Sequence, residues 1–473
     1  MPSHARRRPA PSPQQRRRPN RGSRPAATVR PPVSALDRLL DEAQAAPAPA
    51  ATSFAEAGLP QELVSALARR GIAAPFAIQV RALPDGLAGR DVLGRAQTGS
   101  GKTLAFGLPM LTRLSGRRSR PRHPRGLVLV PTRELAMQVA DALRPLADAV
   151  NLRVTAVFGG SPYGRQFAAL DRGIDIVIAT PGRLIDLIDR GACSLSEVSV
   201  AALDEADHMA DLGFLPAVRR LLDDVPTDGQ RLLFSATLDG GVDRLVREYL
   251  TDPAVHAVTP AAAPVDSMDH QVFLLNQDNK VKVAAEIAAR PGRTLVFVRT
   301  KHGADRLAKQ LTTLGAPAAA IHGNLAQNAR QRALAGFAAG HPRVLVATDV
   351  AARGIHVDDV DLVVHFDPPN DAKDYLHRSG RTARAGASGT VVSFVLPEQQ
   401  RDVKRLHTDA RVAPVSVPVR PGHDAVRAIA ESGTPVPAAP PVQRPTSARP
   451  TQANHHRGRR SRPSRPRQRK PAA

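Results

Sequence analysis

Eight residues, Ala96-Gln97-Thr98-Gly99-Ser100-Gly101-Lys102-Thr103, close on Gly-Lys-Thr and lead into an apolar, helix-like run over 104–114. A small-residue loop entering a helix suits phosphate: backbone N–H groups cradle the oxygens, the Lys102 ammonium neutralises charge, and the Thr103 hydroxyl places an oxygen on Mg2+. Ala96 stands where the general pattern has glycine. Further on, the apolar run 198–203 ends in Leu203-Asp204-Glu205-Ala206-Asp207. Adjacent acids at the end of a buried strand offer Asp204 to the metal and Glu205 to orient or deprotonate an attacking water. In this order, the two segments imply a nucleoside triphosphatase.

A third segment, His377-Arg378-Ser379-Gly380-Arg381-Thr382-Ala383-Arg384, carries three arginines at spacings of three. On a solvated helix they would be a cationic stripe and nothing more. Phosphoryl transfer needs positive charge on the γ-phosphate in the transition state, and an arginine finger is worth roughly 10³–10⁵ in rate. Fingers carried on a second domain would make hydrolysis depend on domain closure.

The elements that must position these residues are legible as texture. Short, predominantly apolar runs at 127–130, 174–179, 198–203 and 231–234 alternate with stretches of helical periodicity, and the pattern resumes at 295–298, 318–321, 344–347, 362–366 and 391–396. Runs with no polar face read as strands buried on both sides of a parallel sheet. Polar motifs follow them: Thr132-Arg133-Glu134, Thr180-Pro181-Gly182-Arg183, Ser235-Ala236-Thr237 and Thr348-Asp349. Open parallel sheets hold ligands beyond the carboxyl ends of their strands, so these residues should share a face. The fold class is therefore α/β, as two tandem parallel-sheet domains at 53–255 and 268–412. A Pro/Ala-rich linker at 256–267 should join them, with disordered basic arms at 1–52 and 413–473 and a short helix within 34–46.

Of the +23 formal charge, +7 falls in the first 53 residues and +10 in residues 413–473, mostly as arginine. Arginine reads phosphate bidentately and stacks on bases, so a polyanionic partner follows, with solubility or codon bias as the bland alternative. Cys193 is the only cysteine, which rules out an intramolecular disulfide and fits a reducing, cytoplasmic setting. No apolar run approaches membrane-spanning length. The first thirty residues, with nine arginines and no acid, have the composition of a transit peptide, but eight prolines through Pro32 oppose the amphipathic helix one needs.

With these motifs in order over 54–412, the chain resembles the DEAD-box RNA helicases of superfamily 2, and within them the short bacterial members with a basic tail. Gly71-Ile72-Ala73-Ala74-Pro75-Phe76-Ala77-Ile78-Gln79 with Phe54 resembles the family's adenine-reading segment, and Gly159-Gly160 and Gln327-Asn328-Ala329-Arg330 after His322-Gly323 match its RNA-facing elements. The resemblance implies two RecA-like domains and ATP-dependent local unwinding of short RNA duplexes or remodelling of RNA–protein complexes, with ATP and Mg2+ as cofactors. It implies that Phe54, Gln79, residues 96–103 and Asp204 bind the nucleotide, Thr103 and Asp204 the metal. Lys102, Asp204, Glu205, Arg381 and Arg384 would be catalytic. Asp207, Ser235, Thr237 and His377 would couple hydrolysis to RNA. Arg133, Gly160, Thr180, Arg183, Thr300, Gln327, Arg330 and Thr348 would line the RNA path through phosphate and 2′-OH contacts. The core is expected to be monomeric and free of membrane, with ribonucleoprotein partners reached through the arms.

Three residues depart from the family pattern. His356 replaces an aspartate that touches the nucleotide ribose, Ile72 an aromatic that stacks on adenine, and Phe76 a threonine. Weaker ATP binding is expected from the first. Two other functions fit part of the pattern: a DNA-directed helicase or annealing factor, and a non-catalytic RNA-binding scaffold.

Overall fold

Runs such as Ile-Val-Ile-Ala and Val-Leu-Val-Ala need cover on both faces, which crossover helices supply. The computed structural model describes residues 35–46, 53–96, 99–238, 240–258, 268–352, 360–383 and 389–433. The chain divides into two compact units, one built from residues 1–159 and 163–259 and one from residues 160–162 and 260–473. Among the described residues the first holds seven parallel strands: β1 (Val92–Arg95), β2 (Gly126–Leu129), β3 (Val154–Val157), β4 (Ile176–Ala179), β5 (Val200–Asp204), β6 (Gln230–Ser235) and β7 (Ala254–Ala257). Their order is β3-β4-β2-β5-β6-β1-β7.

The described residues of the second unit also form seven parallel strands: β8 (Met268–Leu274), β9 (Arg293–Phe297), β10 (Ala318–Ile321), β11 (Val344–Ala347), β12 (Val360–His365), β13 (Gly389–Val395) and β14 (Val415–Pro418). Their order is β10-β11-β9-β12-β13-β8-β14. Counted from each unit's own first strand, the two orders are the same. The chain uses one winding twice, and the expected pair of RecA-like parallel sheets is met.

Each sheet lies between two apolar layers. Phe106, Leu143 and Phe234 pack on one side of the first sheet, and Leu187, Leu221 and Val242 on the other. Phe273, Leu311 and Phe394 do the same for the second, opposite Phe297, Phe337 and Tyr375. Burying each such side chain contributes about 1.5–3 kcal/mol. Gly94 of β1 lies beneath the Phe234 ring of its neighbour β6, where a Cβ would stand 2.4 Å from a ring carbon. Among the described residues, no helix is long and apolar enough to cross a membrane.

Two expected boundaries move, and the short helix expected within 34–46 is present. The linker was expected from 256, yet His256 and Ala257 close β7 beside β1. The basic tail was expected from 413, yet β14 pairs with β8, and the helix Asp424–Glu431 buries Val426 and Ile429 in the core. Arg290 fastens the end of that helix, its guanidinium donating to the Ser432 carbonyl and hydroxyl at 3.1 Å. Within the N-terminal arm, the helix Ala35–Ala45 buries Leu40, and the Arg81 guanidinium caps the carbonyls of Ala43 and Ala46 at 3.0 and 2.6 Å. Residues 1–34, 47–52 and 434–473 of the two arms lie outside the described residues.

In the second unit, β8 takes the place that β1 has in the first, and β12 takes that of β5. Only Leu275 and Asn276 separate β8 from the helix Gln277–Ala288. On that helix Lys280 is buried, pairs with Asp367 just past β12 at 2.9 Å, and lies 4.2 Å over the Phe366 ring.

Candidate active site

The phosphate loop begins where β1 stops. The Ala96 N–H donates to the Ser235 carbonyl at the end of β6 at 3.0 Å, and the Ala96 carbonyl accepts from Lys102 Nζ at 2.9 Å. Lys102 is the first residue of the helix Lys102–Leu114, whose opening N–H groups have no partner within the helix. Gly101 caps it with φ of 88°, and a Cβ there would meet the Gln79 amide at 2.4 Å and the Phe76 ring at 2.6 Å. Only glycine fits both the backbone and the space. Gln79 is buried; it donates to the Gly101 carbonyl at 2.9 Å and accepts from the Phe76 N–H at 2.9 Å. The Phe76 ring is 59% exposed beside them. Thr103 is half-buried on the first turn, and Gly99, with φ of 88°, is exposed. Gln97 and Thr98 lie outside the described residues.

The acids stand at the end of β5, adjacent to β6. Asp204 is 3% exposed and accepts from the Glu205 N–H at 3.0 Å. Burial pushes its carboxyl up to about 6, with Glu205 and Asp207 adding to the rise and Lys102 and the Glu205 N–H opposing it. A buried carboxylate that resists ionisation is one that a divalent cation would stabilise. With the Thr103 hydroxyl it makes the sparse, hard-oxygen set that Mg2+ takes alongside phosphate oxygens, so these residues fit that ion. Glu205 turns through φ of 55° to cap the short helix Ala206–Asp211, and its Oε2 lies 3.2 Å from His208 Nδ1.

Asp207 ties this corner to Ser235. Its N–H donates to Ser235 Oγ at 3.1 Å, and its Oδ2 accepts from the Thr237 N–H at 3.0 Å and the Thr237 hydroxyl at 3.1 Å. Ser235 in turn donates to the Thr237 carbonyl at 2.7 Å. Ser235 thus bonds the phosphate loop through its carbonyl and the acids through its hydroxyl.

Further residues expected on the RNA path gather past β2, β3 and β4. Arg133 opens a helix capped by the Thr132 hydroxyl, and its guanidinium lies against Gly159. Gly160 takes φ of 82°. Thr180 caps the helix Pro181–Asp189, on which Arg183 stacks 4.2 Å over the Tyr163 ring, with Arg190 at 4.7 Å. In the second unit, the Thr300 hydroxyl caps its own helix at Gly303 N–H, 3.0 Å away, and Gln327 starts another helix. Thr348 follows β11, accepting from Ala351 and Ala352. His377 and Arg381 share a hollow with Phe297, Asp349, Asp374 and Arg378, and Arg381 Nε donates to the His377 carbonyl at 3.4 Å. The buried Arg378 forks onto Asp349 at 2.5 and 2.8 Å and lies 5.1 Å over Phe297.

Two expected site residues turn inward. Phe54 is buried in the apolar core of the first unit, so its ring packs there and offers no exposed face to a base. Arg330 is buried as well, donating to the His322 carbonyl at 3.4 Å, and so supports that loop from below. Ile72 packs half-buried on the same core as Phe54. Arg384 and His356 lie outside the described residues. The sequence reading missed His208, Tyr163 and the Arg378–Asp349 fork. For His208 a signal existed, three residues from Glu205 and hence one helical turn away; Tyr163, far from Arg183 along the chain, meets it only in the folded protein.

A profile of the DEAD/DEAH box helicase family matches residues 76–245, and one of the helicase conserved C-terminal domain matches 279–386. Among curated proteins the chain is similar to the chloroplastic DEAD-box ATP-dependent RNA helicase 3A of Zea mays, at 44% identity over 76% of this chain and 49% of that protein. It is also similar to the ATP-dependent RNA helicase DBP2 of Scheffersomyces stipitis, at 40% identity over 72% of this chain and 66% of that one. The chain thus spans about half to two thirds of the length of these relatives. Among solved structures it is similar to S. cerevisiae Dbp5 bound to RNA and ADP BeF3, with a TM-score of 0.70 and 28% identity over 80% of this chain and 99% of that one. Plant and yeast relatives overturn the expected kinship with short bacterial members. Two family segments in tandem, each on its own parallel sheet and the first enclosing the loop and acids described above, lead to one conclusion: the chain belongs to the DEAD-box helicase family.

Proposed function

We propose that the chain is an RNA-dependent ATPase that hydrolyses ATP to ADP and phosphate and uses the cycle to open short RNA duplexes or remodel RNA–protein complexes. One observation carries this reading: Ser235 joins the phosphate loop to the acidic corner by direct hydrogen bonds, through Ala96 on one side and Asp207 on the other. A shift of that strand end moves both halves of the hydrolytic site together.

In this scheme Lys102 and the N–H groups of its helix hold phosphate charge, and Gln79 beside them reads the base. Thr103 and Asp204 would hold Mg2+, which supplies charge neutralisation on the phosphate oxygens when bound. Glu205 orients the attacking water and receives its proton. Arg381 and Arg384 carry the positive charge required in the transition state. Arg133, Gly160, Thr180, Arg183, Thr300, Gln327 and Thr348 contact RNA through phosphate and 2′-OH groups, with little sequence preference. We place the protein in the cytoplasm, in keeping with a single buried cysteine whose thiol burial pushes up to about 12.

The test is ATPase rate against single-stranded RNA and DNA of equal length. RNA should stimulate hydrolysis well above DNA, and Lys102→Ala or Glu205→Gln should abolish turnover, the latter while still binding RNA with ATP present. A rate indifferent to RNA sinks the coupling. Equal stimulation by DNA points to the DNA-directed alternative, and no hydrolysis at all to the scaffold.

A further inference from the structure

Glu205 is a long, flexible side chain asked to hold one orientation from a left-handed backbone, φ 55° and ψ 50°. Its backbone is fixed: the N–H donates to Asp204 Oδ1 at 3.0 Å, and the carbonyl accepts from Met209 at 3.0 Å. Those bonds leave its three χ angles undetermined. The carboxylate, however, meets His208 Nδ1 at 3.2 Å through Oε2. Both side chains are buried, at 9% and 7% exposure, so little water competes for that bond.

His208 is itself held rigidly. Its N–H donates to Asp207 Oδ1 at 2.9 Å, and Asp207 is in turn gripped by Ser235 and Thr237. The other ring nitrogen, Nε2, is buried and has no hydrogen-bond partner among the described residues. An ionised carboxylate only accepts, so the proton in this bond belongs to Nδ1. The pair thus points a single ring N–H at a single carboxylate oxygen.

We propose that His208 is the positioning residue for the base: its Nδ1–H fixes the plane of the Glu205 carboxylate and so aims it at the attacking water. The inference rests on the ATPase reading of the same site. His208 touches no reacting atom. Its effect runs through Glu205, and the same histidine passes the position of Ser235 and Thr237, by way of Asp207, to the base. Misplacing a catalytic group by about an ångström costs up to 10²-fold in rate, which sets the scale of what loss of this bond can do.

The experiment compares full-length wild type, His208→Phe and His208→Asn in steady-state ATP hydrolysis with saturating RNA. Phenylalanine fills the space without a donor; asparagine places an amide N–H close to where Nδ1 stands. His208→Phe should lower kcat about tenfold or more, with the KM for ATP and the affinity for RNA within about twofold of wild type, and His208→Asn should recover most of the loss. Should phenylalanine not fold, His208→Ala reads the same bond: its kcat falls similarly and rises again with added imidazole. A donor-free variant with wild-type kcat overturns the inference, as does a loss that neither asparagine nor imidazole relieves. Wild type without RNA-stimulated hydrolysis would instead refute the functional reading, so the two failures are told apart.

Discussion

Asp204 shows what the site costs the fold. Its native value of about 6 lies above the ordinary 3.8, so the native state holds its proton more tightly than the unfolded state does. The stability this provides is fully present below 3.8 and lost as pH rises through 6. At neutral pH the ligand-free protein therefore carries a buried charge that Lys102 and the Glu205 N–H offset only in part, at a cost of up to about 3 kcal/mol. Asp204→Asn should raise the unfolding temperature at pH 7.5 while ending hydrolysis, and melts repeated towards pH 4 should show the gap closing. A variant no more stable than wild type at pH 7.5 would mean that Lys102 already neutralises the acid. This role was legible because an acid at the end of an apolar run can be read from neighbours in the chain. Phe54 was not: an aromatic upstream of Gln79 looks like a platform for a base, and only the packing shows it inside the core.

Elements were legible where both faces are buried. β2, β4, β5 and β6 in the first unit and β9, β11, β12 and β13 in the second coincide with predominantly apolar runs, as does the edge strand β10, which is Ala-Ala-Ala-Ile. β3, β7 and β14 lie at sheet edges, where partial exposure of at least two residues in each admits Thr, His and Ser and removes the signal. β14, in a Pro-rich setting, therefore read as tail. The correction is testable by truncation. A chain ending at 412 loses β14 and exposes the surface under Val419, Val426 and Ile429, at about 4.5–9 kcal/mol on area grounds. Its second unit should melt about 10 °C or more below wild type. A chain ending at 433 keeps Ser432 on Arg290 and should melt as the full chain does. Equal melting of both truncations would show that β14 and its helix are ornamental.

At the scale of the whole molecule, moving the boundary leaves the charge argument intact. Residues 413–433 hold two arginines against two acids, so all +10 of the C-terminal excess lies in 434–473, as nine arginines and one lysine without an acid. Removing 434–473 should weaken RNA binding and flatten its salt dependence, by roughly 0.7 in log–log slope for each RNA phosphate the segment neutralises, with the RNA-saturated hydrolysis rate unchanged. Binding isotherms at several salt concentrations check this, and an unaltered slope would make the segment a solubility device.

The repeated winding has an arithmetic consequence. A second sheet of the same order offers a second strand-to-helix junction of the kind that seats phosphate, yet after β8 two residues without glycine lead straight into the helix. There the Lys280 cation already grips Asp367 past β12 at 2.9 Å, in the place where Lys102, past β1, faces Asp204 at the end of β5 in the first unit. The second port is plugged by its own ion pair, and one chain should take up one nucleotide: calorimetric titration with a non-hydrolysable ATP analogue should saturate at a ratio of one, and a ratio of two would mean the plug opens.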